Sequence, residues 1–267
     1  MWIDTHCHLD ASEFGGTSLQ LAQQAVAAGV SQIVVPAVHL NLFNQVQQLA
    51  QQHAACVYAL GIHPMYVPTS DEGHLQILRQ RIEQVLSSEH AHQLVAVGEI
   101  GLDYFVPALT QSPLLEKQEF FYTEQLKIAR DFDLPVLLHV RRSQDKVLKH
   151  LRRIRVRGGI AHAFNGSVQQ AGHFLDLGCK LGFGGAMTFP RALQIRRLAA
   201  ELPLDALVLE TDAPDIPPSW IQEGHNRPDQ IPAIGSVLAA LRAMDVADIA
   251  AASSHNAREV LPRLLLN

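Results

Sequence analysis

Apolar and polar positions along these 267 residues fall into two alternating rhythms. Short runs of Val, Ile, Leu and Ala suit strands buried on both faces. Longer stretches with an apolar residue every three to four positions suit amphipathic helices. The strand-like runs lie at 2–5, 32–37, 57–61, 94–100, 136–140, 159–163, 180–184 and 207–210. Helical segments follow each, at 19–28, 41–53, 71–88, 114–132, 145–153, 168–177, 190–202 and 231–244, and a further helix is expected over 246–265. Alternation of this kind predicts βα units and a parallel sheet. Eight units in a chain of this length predict one domain over residues 1–267, a closed (β/α)8 TIM barrel of the α/β class. A doubly wound open sheet is the competing arrangement. The irregular pieces at 106–113 and 214–232, rich in Pro and polar residues, are expected as longer loops over one end of the barrel.

The strand ends then change the picture. His6 and His8 lie in IDTHCH, Glu99 in VAVGEIGLD, His139 in VLLHV, His162 in GIAHAF and Asp212 in LVLETD. An open sheet would scatter these six groups, whereas a barrel gathers them at one mouth, where such folds carry their sites. His6 and His8 are two apart and point to one side, which sends Cys7 to the other as a packed thiol. Asp212 ends strand eight, which neighbours strand one in a closed barrel. His6, His8 and Asp212 are therefore expected to hold one divalent ion, and His139 and His162 a second. Glu99 has two oxygens and is placed to bridge them.

This donor set leaves the metal open among Mg, Mn and Zn. Two such ions would activate a water for hydrolysis, with Asp212 orienting it and accepting its proton and Glu99 as the second catalytic carboxylate. The chain has no Ser or Cys nucleophile motif, Gly-rich phosphate loop or dinucleotide fingerprint, so a metal-dependent hydrolase acting on ester bonds is expected. Candidate substrate contacts are His63 in ALGIHP, Arg141 two residues after His139, Asn165 after His162, and Arg227 in the loop after Asp212. Each has a plainer reading: packing for His63, a carboxylate pair for Arg141, a turn for Asn165 and simple exposure for Arg227. His225 and His255 are expected at the surface.

Bulk properties refine this only in part. A net charge of −5 does not suggest a protein that coats nucleic acid. Yet residues 141–157 hold eight Lys/Arg against one acid, Asp145, leaving 13 basic and 25 acidic residues elsewhere. Arg142, Lys146, Lys149 and Arg153 recur at helical spacing, as a solvated outer face or as a phosphate-steering surface. Hydrophobic content of 48% and charged content of 18% suit a soluble globular protein. No apolar stretch is long enough to span a bilayer, and the first residues read as a strand rather than a signal peptide, so a cytoplasmic location and no membrane contact are expected. Three cysteines without CxxC spacing argue against a disulfide framework. No obligate protein partner is evident.

Taken in order, DTHCHLD, GIHP, GEIGLDY, LLHVR, HAFNGS, LETDAPD and the closing SHNAREVL resemble the TatD family of metal-dependent DNases and hydrolases. The likeness runs from Ile3 to the C-terminal helix. It implies an amidohydrolase-like TIM barrel, two divalent ions, and hydrolysis of DNA phosphoesters by trimming strands from the 3′ end. Carried over by position, it also gives His6, His8 and Asp212 at one metal, His139 and His162 at the other, and Glu99 between them. Two departures stand out. The family often continues GIHP with a second His, where this chain has Met65, and it commonly carries an RNEP-like motif where this chain reads HNRPD. The substrates implied are nucleic-acid ends. The alternative is the same barrel acting on a small phosphoester, lactone or cyclic amide.

Overall fold

A computed structural model describes residues 1–264, within which strands and helices alternate throughout. The strands are β1 (Trp2–Asp4), β2 (Val30–Pro36), β3 (Cys56–Leu60), β4 (Leu94–Asp103), β5 (Val136–Arg141), β6 (Gly159–Ala161), β7 (Cys179–Phe183) and β8 (Leu207–Leu209). The helices are α1 (Ser18–Ala27), α2 (Phe43–Gln52), α3 (Glu72–Leu86), α4 (Leu114–Asp131), α5 (Gln144–Arg153), α6 (Val168–Leu175), α7 (Leu193–Glu201), α8 (Ile231–Arg242) and α9 (Val246–Val260). Each strand pairs in parallel with the next, in the order β1 to β8. Just past the regular ends of β1 and β8, Thr5 N–H donates to Leu209 O at 3.0 Å, Asp212 N–H to His6 O at 2.8 Å and His8 N–H to Ala213 O at 2.8 Å. Those bonds join the first and last strands, and the sheet is a TIM barrel rather than an open one.

The core divides as a barrel requires. Val30, Ile33, Val35, Tyr58, Leu60, Leu94 and Leu138 are buried with the apolar faces of the helices. Ile3, Val34, Val57, Val95, Leu137, Ile160 and Val208 form a second cluster with Ala257, Val260, Leu261 and Leu264. That second set fills the barrel interior, and α9 covers its lower end. Asn256 Nδ2 donates to Leu204 O at 2.8 Å and Leu207 O at 2.7 Å, and Ser254 Oγ donates to Met1 O at 3.0 Å, all at the start of strands. The C-terminal ends of the strands are left open for the site.

Three boundaries differ from expectation by three residues or more. β4 runs three residues further, to Asp103, because Gly101, Leu102 and Asp103 pair with His139, Val140 and Arg141 of β5. α7 begins at Leu193 rather than at residue 190, since a turn closes Ala192 N–H onto Phe189 O at 3.0 Å. α9 ends at Val260, and residue 265 of the expected last helix lies outside the described residues. Among the described residues no helix is long and apolar enough to cross a membrane.

Candidate metal centre

Glu99 sits at the middle of the barrel mouth, 2% exposed, and its two carboxylate oxygens face two separate groups of side chains. Oε2 lies 3.2 Å from His6 Nε2 and 3.3 Å from His8 Nε2. Oε1 lies 3.0 Å from His139 Nδ1, 3.1 Å from His162 Nε2 and 3.4 Å from His63 Nε2. Asp212 Oδ1 is 3.6 Å from both His6 Nε2 and His8 Nε2, which are 3.2 Å from each other. The structure therefore brings His6, His8, Glu99, His139, His162 and Asp212 into one cluster.

The donors fit divalent cations on two counts. Four ligands in a tetrahedron about 2.0–2.1 Å from an ion are about 3.3–3.4 Å apart. The five separations recorded among His6, His8, Glu99 Oε2 and Asp212, from 3.2 to 3.6 Å, bracket that value. The hydrogen-bond partners also set the tautomers. His8 Nδ1 faces Pro36 O at 3.3 Å and His139 Nε2 faces Asp103 Oδ2 at 3.0 Å, so in each neutral ring the other nitrogen turns its lone pair inward. His162 Nδ1 faces Glu210 Oε1 at 3.7 Å, beyond hydrogen-bond length but in the same sense. Lone pairs and carboxylate oxygens thus converge, which calls for positive charge between them.

His63 has the opposite polarity. Its Nδ1 accepts the Met65 N–H at 3.1 Å, so the neutral ring carries its proton on Nε2, toward Glu99 Oε1. Burial pushes His63 down to about 4, which keeps it neutral. It enters the second group as a donor and not as a ligand of the same kind, although its distances alone would group it with Glu99 and His139.

The electrostatics point the same way. Burial, helped by His162, pushes His6 down to about 3. Burial also opposes charge on His8, yet Glu99, Asp212 and Asp10 outweigh it and raise His8 to about 9. Burial would raise Glu99, but the imidazoles of His63, His162 and His6 hold it well below the usual carboxylate range. Asp212 is raised to about 6, mainly by burial. A neutral His6 beside an ionised Glu99 offers a divalent ion both a lone pair and a negative charge.

The backbone around the cluster is strained. Arg142 (φ 56°), Ala163 (φ 45°) and Asp212 (φ 56°) all adopt the left-handed region just past β5, β6 and β8. Non-glycine residues there cost about 1–3 kcal/mol each and persist where surrounding contacts hold them. For Asp212 those contacts are the N–H bond to His6 O and, nearby, Asp4. The buried Asp4 carboxylate accepts Thr211 N–H at 3.0 Å, Thr211 Oγ–H at 2.6 Å and His6 N–H at 3.3 Å, tying the two ligand segments together. For Ala163 the contact is its N–H bond to the Glu210 carboxylate. Gly182 makes room for that carboxylate, because a Cβ there would collide with Glu210 Oε2.

The cluster floors a cleft of about 1260 Å³. His63, Arg141 and Asn165 line it, as does Met65. Arg141 combines both of its expected positions, since it faces the cleft while Nη1 lies 3.9 Å from Asp103 Oδ2. Arg227 is not brought to the cleft: half-exposed, it pairs with Asp229 at 3.4 Å. Its neighbour Asn226 is fully buried and donates through Nδ2 to Thr211 O, Asp215 O and Ile216 O, so it organises the loop instead of meeting substrate. Cys7 is buried among apolar residues, and His225 and His255 are exposed. Sequence reasoning passed over Asp103, Glu210, Asp4 and Thr211. Asp103 had a visible signal, since Glu99, Gly101 and Asp103 share one face of β4. The other three lie beside ligands, and nothing in the sequence pattern separates them from ordinary polar residues.

Comparison with known proteins agrees with this geometry. The family model for TatD-related DNases matches residues 3–262. The chain is 43% identical over 256 residues to the uncharacterized metal-dependent hydrolase YjjV of Escherichia coli strain K12, covering 96% of this chain and 95% of that protein. The crystal structure of YjjV, a TatD homologue, superposes with a TM-score of 0.90 at 42% identity, covering 98% of both chains. A human protein named deoxyribonuclease TATDN3 is 26% identical over 270 residues, covering 98% of this chain and 95% of its own length.

Proposed function

We propose, from the premise that this chain belongs to the TatD-related DNase family of metal-dependent hydrolases, that it is a two-metal phosphodiesterase trimming DNA strands from the 3′ end. The observation that carries the reading is the division of Glu99, with Oε2 toward His6 and His8 and Oε1 toward His139 and His162. His6, His8, Asp212 and Glu99 would hold one divalent ion, and Glu99, His139 and His162 a second. Such a pair would supply Lewis-acid polarisation of a phosphoryl oxygen and lower the pKa of a water between them.

The remaining chemistry belongs to the chain. Asp212 is the carboxylate that reaches solvent, with its side chain 13% exposed against 2% for Glu99, so it is the one placed to orient an attacking water and take its proton. His63 Nε2–H faces Glu99 Oε1 at 3.4 Å on the floor of the cleft, where it would also meet a phosphate oxygen of the substrate. Arg141 and Arg142 line the same cleft and offer guanidinium donors to the phosphodiester. Asp103 fixes the His139 ring through Nε2, and Glu210 holds the backbone that follows His162.

The test is metal-depleted protein re-supplied singly with Mg, Mn or Zn, given 5′-labelled single-stranded DNA and, separately, a generic phosphodiester. The expected outcome is stepwise shortening of the DNA from its 3′ end, dependent on metal and abolished in Glu99→Ala with the fold kept. Hydrolysis of the generic ester with the DNA left whole would move the protein to small substrates.

A further inference from the structure

Phe105 stands at the lip of the cleft, 44% exposed, on the segment that leaves β4 beyond Asp103. An exposed phenyl ring alone is ordinary. This one is held and flanked by charge. Asp103 Oδ1 accepts the N–H groups of Phe105 and Val106 at 2.8 and 2.9 Å, and Tyr104 N–H donates to Arg141 O at 2.8 Å. The guanidinium carbons of Arg141 and Arg142 lie 3.7 and 4.7 Å from the ring centroid. Ser143 Oγ donates to Leu102 O at 2.6 Å and pins the turn that follows them.

The same Asp103 carboxylate orients His139 through its other oxygen, so the ring and the metal centre are fixed by one side chain. Arg141 is half-exposed and only 3.9 Å from that carboxylate, while Arg142 has no carboxylate partner among the described residues. Two cations with little neutralisation therefore rest against an open aromatic ring on one side of the cleft. A small ester bound at the floor would need charge but no ring. A nucleotide carries both an aromatic face and an anion, joined through a sugar. Base stacking on such a ring is worth about 1–3 kcal/mol, and guanidinium planes also stack with bases. From this lip α5 continues with Lys149, Arg152 and Arg153 exposed, a positive surface for a chain leaving the cleft.

We propose that Phe105, Arg141 and Arg142 form a nucleotide subsite, which stacks the base next to the one released and binds its phosphate. This rests on the phosphodiesterase reading above, and the test keeps the two apart. The probe is a short single-stranded oligodeoxynucleotide with 2-aminopurine at the penultimate 3′ position, mixed with metal-loaded protein in a stopped-flow fluorimeter, with strand length followed in parallel.

Stacking should quench the fluorescence within the first turnover. Phe105→Ala should lose the quench and Phe105→Trp should keep it. Arg142→Gln should weaken binding about tenfold and lower the salt slope by about one. In steady state Phe105→Ala should raise KM for the oligonucleotide about tenfold with kcat within about twofold. An equal quench in Phe105→Ala, or none in the wild type, overturns the subsite. Quenching without strand shortening keeps the subsite and sinks the nuclease reading, and shortening without quenching does the reverse.

Discussion

At the scale of single residues, what separates His8 and His139 from His63 is the partner of the far ring nitrogen. His8 and His139 each face an acceptor there, Pro36 O and Asp103 Oδ2, and so turn a lone pair toward Glu99. His63 faces a donor, the Met65 N–H, and turns a proton inward. Outer partners of this kind typically change metal affinity or activity by about 10–100-fold when removed. Asp103→Asn should therefore weaken metal binding by about that factor, because an amide can present its NH2 to His139 Nε2 and favour the wrong tautomer. His63→Ala should keep full metal content and lose turnover. Metal stoichiometry by elemental analysis, with titration of the depleted protein, checks both. Equal metal loss in the two variants would make His63 a ligand and undo the tautomer argument.

At the scale of elements, the two ends of the barrel are held by different chemistry. The mouth is closed by Asp4 and Thr211, and the lower end by α9, whose buried Asn256 satisfies Leu204 O and Leu207 O. Asn256→Ala removes both of those buried bonds, and Leu204 O keeps only the Leu207 N–H. The expected cost is about 1–3 kcal/mol, seen as a fall of about 2–12 °C in Tm for a chain of this size. Metal content and kcat at 25 °C should stay as they were, because the substitution lies at the opposite end from the site. A variant that keeps its Tm but loses metal would deny that separation.

The elements themselves were legible because buried parallel strands read as continuous apolar runs and the helices as amphipathic ones. Their ends were less so. β4 was expected to stop at Ile100, since Gly101 and Asp103 look like a turn, and only pairing with β5 shows that the strand continues. That one misplaced end hid Asp103, and with it the position of Phe105. The six ligand candidates were legible because each ends an apolar run. Arg227 was singled out by its place in a loop, and loop residues have no period to say which way they face.

At the scale of the whole molecule, stability and function draw on the same cluster. Five imidazoles and two carboxylates converge at the mouth, five of the seven buried, with the lone pairs of His8 and His139 facing carboxylate oxygens. Packing from the surrounding strands holds that arrangement together, and a cation bound there binds the folded chain far better than the unfolded one. A ligand at about 100 times its Kd stabilises the folded state by about 2.7 kcal/mol. For a chain of this length that is about 5–10 °C in Tm. Chelation should lower Tm by that amount and re-addition of metal should restore it. The shift should grow with free metal concentration, as mass action requires. Glu99→Gln should blunt the response, since it removes the charge shared by both groups of donors. A chain with metal shown to be stripped, yet with unchanged Tm, would mean that the mouth is rigid without its cation. The strain at Arg142, Ala163 and Asp212 would then be supported by hydrogen bonds alone.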